Sequence, residues 1–519
     1  MLPPDAAVKP SAGASQSRQA HWLKILLLLV AAAAIRLLHL ASKPFWFDEC
    51  FSVEVARIRW SDFLYLLWWR EANMSLYYVL LRAWLSLNQH YGQSPFFIRS
   101  LSVMFAAATV PAIYWLARLL YDRRVALIAA ALFTFNAYNV RYAQEARSYA
   151  LFLLLATLSS GFLISFLREP VRRHWHGYVL VSILAVYAHF YALLLVAVQW
   201  LAVRRLGTFN HSGDETAARS AQLRRAWITI GLAVLPLLVF VAKTGAGPIR
   251  WIQRPGIRYL LESYEHLAGG NNWVLLVLFA VSCVAAVMPV GKQLFARDQS
   301  WQTWRAQFLL IWLIFPVLLT VLLSFARPVF LGRYMIFCLP PLLILVAAGL
   351  GRLRAAWLLA AVLSGILLLG LQGVFFVYGH DFDDERDASG AASDFILDHS
   401  EPGDAIVFHI AATRVAYEFF RSLRAGENTA GPGFAGLEIL FPYHGERLDY
   451  RDFTGKPTPE LLRGARDSHS RIWVMLMNNG SEENPDPTTA MLSKVLPESF
   501  PKMVRWRFTK VEVRLYSGR

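Results

Sequence analysis

VLLVLFAVSCVAAVMPV, residues 274–290, contains no charged side chain. About 20 apolar residues cover the hydrocarbon core of a bilayer, so this run with its flanks reads as a membrane-spanning helix. The same unit recurs in both directions along the chain, as ILLLLVAAAAI from Ile25 and LLILVAAGL from Leu342, with short polar interruptions. About eleven spans follow, at 21–41, 97–119, 125–140, 149–167, 176–188, 190–203, 226–243, 273–290, 307–325, 334–350 and 355–377. Composition agrees: of 519 residues 56% are hydrophobic and 17% charged, whereas a soluble domain has about 25% charged residues. The chain has too few charges to wet a soluble fold. The expected fold class is an all-α polytopic membrane protein with a small soluble α/β domain at its C-terminal end.

The net charge of +15 does not point to nucleic acid, because the arginines sit in short links between apolar runs and form no single stripe. Arg124, Arg173, the Arg204–Arg225 cluster, Lys292, Arg297, Arg305, Arg352 and Arg354 fall in every second link. Basic links mark the cytoplasmic side, which puts the N terminus inside and the C-terminal domain outside a bacterial cytoplasmic membrane. Residues 176–203 are too few for two full spans and long for one. A turn near His189, in YAHFYA, keeps the later basic links inside, and a histidine in mid-membrane is otherwise costly. The three cysteines, Cys50, Cys283 and Cys338, offer no disulfide framework or zinc spacing. Cys283 and Cys338, inside apolar segments, read as small buried hydrophobes.

Residues 1–20 read as a loose polar cytoplasmic tail and 21–378 as the membrane domain. Its first outer loop, 42–96, mixes Trp, Phe and Leu with charges at helical spacing, as interfacial helices do. From 379 to 519 the composition is that of a soluble domain. DAIVFHI (404–410), RIWVMLMN (471–478) and VEVRLYS (511–517) read as strands, and Thr458 with Pro459 reads as a helix start. This extracytoplasmic α/β segment carries no chemical motif, so a lid or stabilising role is its default.

Acids and arginines mix on the outer side of the membrane domain, as a polar cavity there requires. Asp48-Glu49 follow the first span in KPFWFDECFS. Either Asp48 caps an interfacial helix, with Glu49 favouring its positive end, or one carboxylate is a general base for an acceptor hydroxyl. Glu145 and Arg147 lie in NVRYAQEARSYAL, at a turn between spans, where they are an interfacial turn or a second acid facing the same cleft. Arg333-Tyr334 open a span in ARPVFLGRYMIFCLP. Arg333 either snorkels to the headgroups or holds a phosphate through its planar fork of donors.

Taken together, these segments resemble a known superfamily. FDE after the first span, the LYYVLL helix with Tyr77 and Tyr78, and Arg99-Ser100 opening the second span are similar to the protein O-mannosyltransferases and to the bacterial lipid A aminoarabinose transferases. RYAQEARSYAL, YAHFYAL and GRYMIFCLPPLL resemble the bacterial family 39-type transferases. The resemblance spans about residues 21–350. It implies a GT-C fold and an inverting displacement, in which an acceptor hydroxyl attacks a sugar carried by a polyprenyl phosphate. It implies catalytic roles for Asp48, Glu49 and Glu145, and substrate contacts for Arg147, Arg333, Tyr334, Tyr77, Tyr78, Arg99 and His189. The acceptor is a glycan, lipid or protein. Arginines can stabilise a monophosphate leaving group, so no cofactor is implied and no divalent metal is demanded. Where relatives commonly carry His-Pro-Pro or a lysine, this chain has Asn73-Met74-Ser75, so lipid-phosphate contacts are expected to differ there. A transporter or flippase of lipid-linked sugars is the alternative, but it calls for ionisable groups near the bilayer midplane.

Overall fold

The computed structural model describes residues 12–69, 71–87, 94–205, 213–244, 252–270, 272–294, 300–380, 386–426, 437–442, 455–477, 480 and 484–518. Arg297 of the basic links lies outside the described residues, as do 1–11 of the expected tail. The chain divides into two compact units. The division does not follow the sequence: Leu40–Leu101 and Glu145–Arg147 group with His380–Arg519, while Met1–His39, Ser102–Gln144 and Ser148–Gly379 form the other unit.

The first unit is a helical bundle. Among the described residues, seven helices are long and apolar enough to cross a membrane: Pro95–Leu120, Tyr149–Arg168, Ala218–Lys243, Trp273–Gln293, Trp301–Ala326, Gly332–Leu350 and Ala356–Gly379. The remaining expected spans are helices of other lengths. Ala12–Leu37 begins inside the segment read as a loose tail, because Ala, Ser and Gln there extend a helix nucleated by the apolar run. Expected span 125–140 is broken in two, Arg123–Thr134 and Ala137–Ala143, since the Asn136 carboxamide accepts from Asn139 N and starts a new helix. Arg172–Ala188 and Ala192–Arg205 form the expected pair with its turn at His189–Tyr191. Polar side chains join these helices: Gln199 donates to Ser159 (3.0 Å) and Ser160 (3.2 Å) and accepts from Tyr178 (3.0 Å). Where lipid offers no partner, such bonds bind helix to helix.

Arg36 lies within the first expected span with no exposed surface. It is tolerated because its guanidinium donates to the carbonyls of Ala32 (3.0 Å), Thr134 (3.2 Å) and Phe133 (3.2 Å) and to the Asn139 side chain (3.1 Å). Phe133 and Thr134 end the Arg123–Thr134 helix, so a cation takes the carbonyls that every helix end leaves unpaired. Gly349 allows a close helix approach, since a Cβ there would lie 1.9 Å from the Ser282 carbonyl oxygen.

The second unit contains a five-stranded sheet. Its strands are β1 (Ala405–His409), β2 (Glu438–Phe441), β3 (Arg471–Met477), β4 (Lys502–Phe508) and β5 (Val511–Ser517), in the order β2-β1-β3-β5-β4. β1 runs parallel to β2 and β3, while β5 is antiparallel to β3 and β4. Successive residues of β1 and β3 go to opposite cores: Ile406, Phe408, Trp473 and Met475 on one face, Ala405, Val407, Ile472 and Val474 on the other. Helix Ser389–His399 and Tyr417 cover the first face, and helices Pro459–Gly464 and Pro487–Ser499 cover the second. That is why the strands read as continuous apolar runs. Three of them match the expected strands. β2, at four residues, is too short to signal itself, and β4 is an exposed edge whose Lys502, Arg505 and Arg507 break the apolar pattern and discourage further pairing. Thr458 caps its helix as expected, accepting from Leu461 N.

Candidate active site

In the second unit the Asp48-Glu49 pair opens the helix Phe47–Arg57. Two acids in the first turn suit the helix dipole, but Asp48 does not cap. The capping position belongs to Trp46, whose side chain makes no cap bond. The Phe47 N–H instead donates to the Asp387 carboxylate, at 3.3 and 3.2 Å to its two oxygens. The helical capping role considered for Asp48 is therefore taken by Asp387, 340 positions from Phe47.

The two adjacent acids point to different environments. Glu49 has no exposed surface. Its Oε1 accepts from Arg99 Nε (2.8 Å) and Ala146 N (2.9 Å), and its Oε2 from Arg99 Nη2 (2.7 Å). Burial works to raise the Glu49 carboxyl, and the Arg99 guanidinium outweighs it, leaving Glu49 below its ordinary range. Arg99 uses its five N–H donors inside the protein, on Glu49 and on the carbonyls of Leu40, Lys43 and Pro44. Arg99, expected to meet substrate, is buried and ties residues 40–49 to the start of the helix Pro95–Leu120. Glu49, expected beside the base, is the anion paired with Arg99 and also anchors the 145–147 turn through Ala146.

The Asp48 side chain is 19% exposed, with Oδ2 3.5 Å from Arg147 Nη2. Arg147 Nη1 lies 3.3 Å from both the Asp48 carbonyl and the Ser52 hydroxyl, and Ser52 donates to the same carbonyl at 2.9 Å. Glu145 is fully buried, with Oε1 3.3 Å from Arg386 Nη2; it does not present an open carboxylate. Tyr77 and Tyr78 are buried on the helix Ser75–Ser86. Burial pushes the Tyr78 hydroxyl well above its usual range, with Glu71 adding to the rise and Arg147 opposing it.

Glu71 lies in the 42–96 segment. It is half-buried and acts electrostatically on both Asp48 and Arg147; burial raises its carboxyl from 4.5 to about 7, against the pull of Arg147. Three residues on, Met74 has φ +65°, a left-handed conformation that non-glycine residues seldom adopt. Glu71, Arg386 and Asp387 enter the site by tertiary placement, and no local pattern marks them. Among the described residues, no group of three or more His, Cys, Asp or Glu side chains is placed to hold a metal ion.

Arg333, Tyr334 and His189 gather in the first unit. Gly332–Cys338 form a 3₁₀ turn in which Arg333 is buried, its Cζ 5.9 Å from the Tyr334 ring centre. His189 stacks on Phe152 (5.0 Å) and meets Tyr334 edge-on (4.8 Å), and Tyr191 meets Tyr334 at 5.1 Å. The start of this turn is pinned by Tyr138 OH donating to the Gly332 carbonyl (2.9 Å) and by Gly332 N donating to Tyr259 OH (3.0 Å). A guanidinium in a frame of tyrosines can bind an anion on one side and a flat or apolar group on the other.

The fold has counterparts among solved structures. ArnT from Cupriavidus metallidurans, a lipid A aminoarabinose transferase, matches in its apo state with a TM-score of 0.59 at 12% identity, over 96% of this chain and 98% of that one. The chain has a GT-C fold. The same ArnT bound to undecaprenyl phosphate gives a TM-score of 0.57 at 12% identity, over 95% and 97% of the two chains. The GT-C fold extends to the oligosaccharyltransferase AglB from Archaeoglobus fulgidus, solved with an inhibitory peptide and a dolichol-phosphate. There the TM-score is 0.50 at 9% identity, over 88% of this chain and 69% of that one. No family model and no curated protein sequence matches this chain. Within its GT-C fold, one unit holds Asp48, Glu49, Glu71, Tyr77, Tyr78, Arg99, Glu145 and Arg147, and the other holds Arg333, Tyr334 and His189.

Proposed function

We propose that this chain is a glycosyltransferase that moves a hexose or pentose from a polyprenyl-phosphate donor to an acceptor hydroxyl at the outer face of a bacterial cytoplasmic membrane. The observation that carries this reading is the split of the acid pair. Glu49 is sealed in an ion pair, whereas Asp48 keeps 19% exposure beside Arg147. An ionised carboxylate that reaches solvent next to a cation is a suitable base for a hydroxyl. The fold supports the donor class, since ArnT of the same architecture was solved with undecaprenyl phosphate and AglB with a dolichol-phosphate.

The reaction is an in-line displacement. The acceptor oxygen bonds to the anomeric carbon as its proton passes to Asp48, and the bond from that carbon to the phosphate oxygen breaks, its electron pair leaving with the polyprenyl phosphate. The sugar configuration inverts. Arg147 orients Asp48 through their 3.5 Å contact, and Arg333 with Tyr334 and His189 is suited to the phosphate and the sugar. Glu49 and Glu145 act through the residues they hold.

Asp48→Asn tests this reading. Asparagine keeps the shape and polarity of the side chain but takes no proton at neutral pH. Full-length protein supplied with a panel of undecaprenyl-phosphate hexoses and pentoses should transfer sugar, and the variant should lose about 10²–10⁴ in rate while folding normally. Near-normal turnover by Asp48→Asn ends the proposal.

A further inference from the structure

The helix that carries Asp48 is capped from the C-terminal domain. Asp387 accepts from Phe47 N at the head of that helix, and its Oδ1 also accepts from Ser389 N (3.0 Å) and the Ser389 hydroxyl at the head of helix Ser389–His399. One carboxylate, 8% exposed, thus serves two helix starts. Its neighbour Arg386 reaches Glu145 Oε1 at 3.3 Å, in the turn that also supplies Arg147. Ring contacts seat the helix and its lead-in: Phe45, two residues before the helix, meets Phe419 edge-on at 5.1 Å, Phe47 packs at the border of the α/β core, and the Arg57 guanidinium lies 5.9 Å over the Phe419 ring. All of these residues belong to one compact unit.

We infer that Arg386 and Asp387 are positioning residues for sugar transfer, the shared cap at Asp387 fixing the Asp48 helix and the Arg386–Glu145 pair fixing the turn that brings Arg147 to Asp48. The inference rests on the reading of Asp48 as the base. It makes the C-terminal domain a structural component of the active site, where its sequence offered only a lid or a stabiliser. Catalysis is sensitive to such supports because a displacement of about 1 Å can cost about 10²-fold in rate.

The test uses the full-length protein in detergent, with amide hydrogen exchange read beside sugar transfer. Asp387→Ala removes the cap, whereas Asp387→Asn retains an acceptor of about equal capping strength. Asp387→Ala should speed exchange at residues 48–51 and 145–147 and lower kcat by about ten- to a hundredfold. Binding of undecaprenyl phosphate should stay within about twofold of wild type, since the cap acts on the base. Asp387→Asn should keep kcat within about threefold. Arg386→Gln is the second variant and should loosen 145–147 while leaving the first turn of the Asp48 helix protected, with Arg386→Lys restoring part of the loss. Wild-type exchange and turnover in folded Asp387→Ala overturn the inference, as does exchange that rises equally throughout β1 and β3. If wild-type protein transfers no sugar from the panel, the functional reading fails, and the exchange pattern alone decides whether these residues hold the helix.

Discussion

Replacing Glu49 by Gln exchanges one carboxylate oxygen for an amide and asks whether this acid belongs to the fold or to the chemistry. Glu49 Oε1 accepts two bonds, from Arg99 Nε at 2.8 Å and Ala146 N at 2.9 Å, and a glutamine carbonyl can keep both. The other oxygen accepts from Arg99 Nη2 at 2.7 Å, and there the new amide sets donor against donor. The loss of one charge-assisted bond amounts to about 1.5–3 kcal/mol, and a buried cation left without its anion costs about 3–5 kcal/mol. Arg99 keeps its three backbone carbonyl partners, which favours the lower end, about 3 kcal/mol. Asp48→Asn disturbs a contact of 3.5 Å on a 19% exposed side chain, a change of about 0–1 kcal/mol. Denaturant unfolding of full-length protein in detergent, followed by tryptophan fluorescence, measures both. Glu49→Gln should unfold earlier by about 3 kcal/mol yet retain substantial turnover where it is folded, and Asp48→Asn should show the reverse. A Glu49→Gln protein as stable as wild type but inactive would refute the reasoning and move Glu49 into the chemistry.

The raised Glu71 carboxyl gives a pH signature. Between 4.5 and about 7 the folded chain holds a proton that the unfolded chain has released, so stability falls as pH rises through that window. At about 1.4 kcal/mol per pH unit the cost reaches up to about 3 kcal/mol above pH 7 and vanishes below the ordinary carboxylate range. Glu71→Gln should therefore gain on wild type as pH rises in unfolding experiments, and parallel pH curves would refute the placement of this acid. Arg333→Lys should weaken donor use and Arg333→Ala should weaken it more, because lysine keeps the charge without the planar fork; equal activity of Arg333→Ala and wild type would leave it a headgroup anchor. Reporter fusions near Arg124, Arg173, Arg219 and Arg354 should report cytoplasm, and those near Gly269 and the C-terminal domain the outer side. A cytoplasmic signal after Arg519 contradicts that topology.

Periodicity and composition determined the membrane class, because crossing a bilayer demands long apolar runs that local sequence cannot conceal. The paired short helices about His189 were legible for the same reason, since a polar ring within 28 apolar-rich residues is best placed at a turn. β1 and β3 were legible because burial on both faces makes a strand uniformly apolar, and β5 because Val511, Val513 and Leu515 alternate with polar residues, while β4, exposed and charged, was not. The acid pair was visible as a pair, but its division of labour was not: adjacent residues of one helix turn point about 100° apart, and only the placement of Arg99 and Arg147 decides which acid is sealed and which reaches solvent. The cap on their helix comes from Asp387, and hydrogen bonding between residues 340 positions apart leaves no trace in local pattern. Sequence determined which segments are apolar enough to enter a bilayer, since that depends on transfer free energy residue by residue. Tertiary structure decided which charges meet, since that depends on where the chain returns.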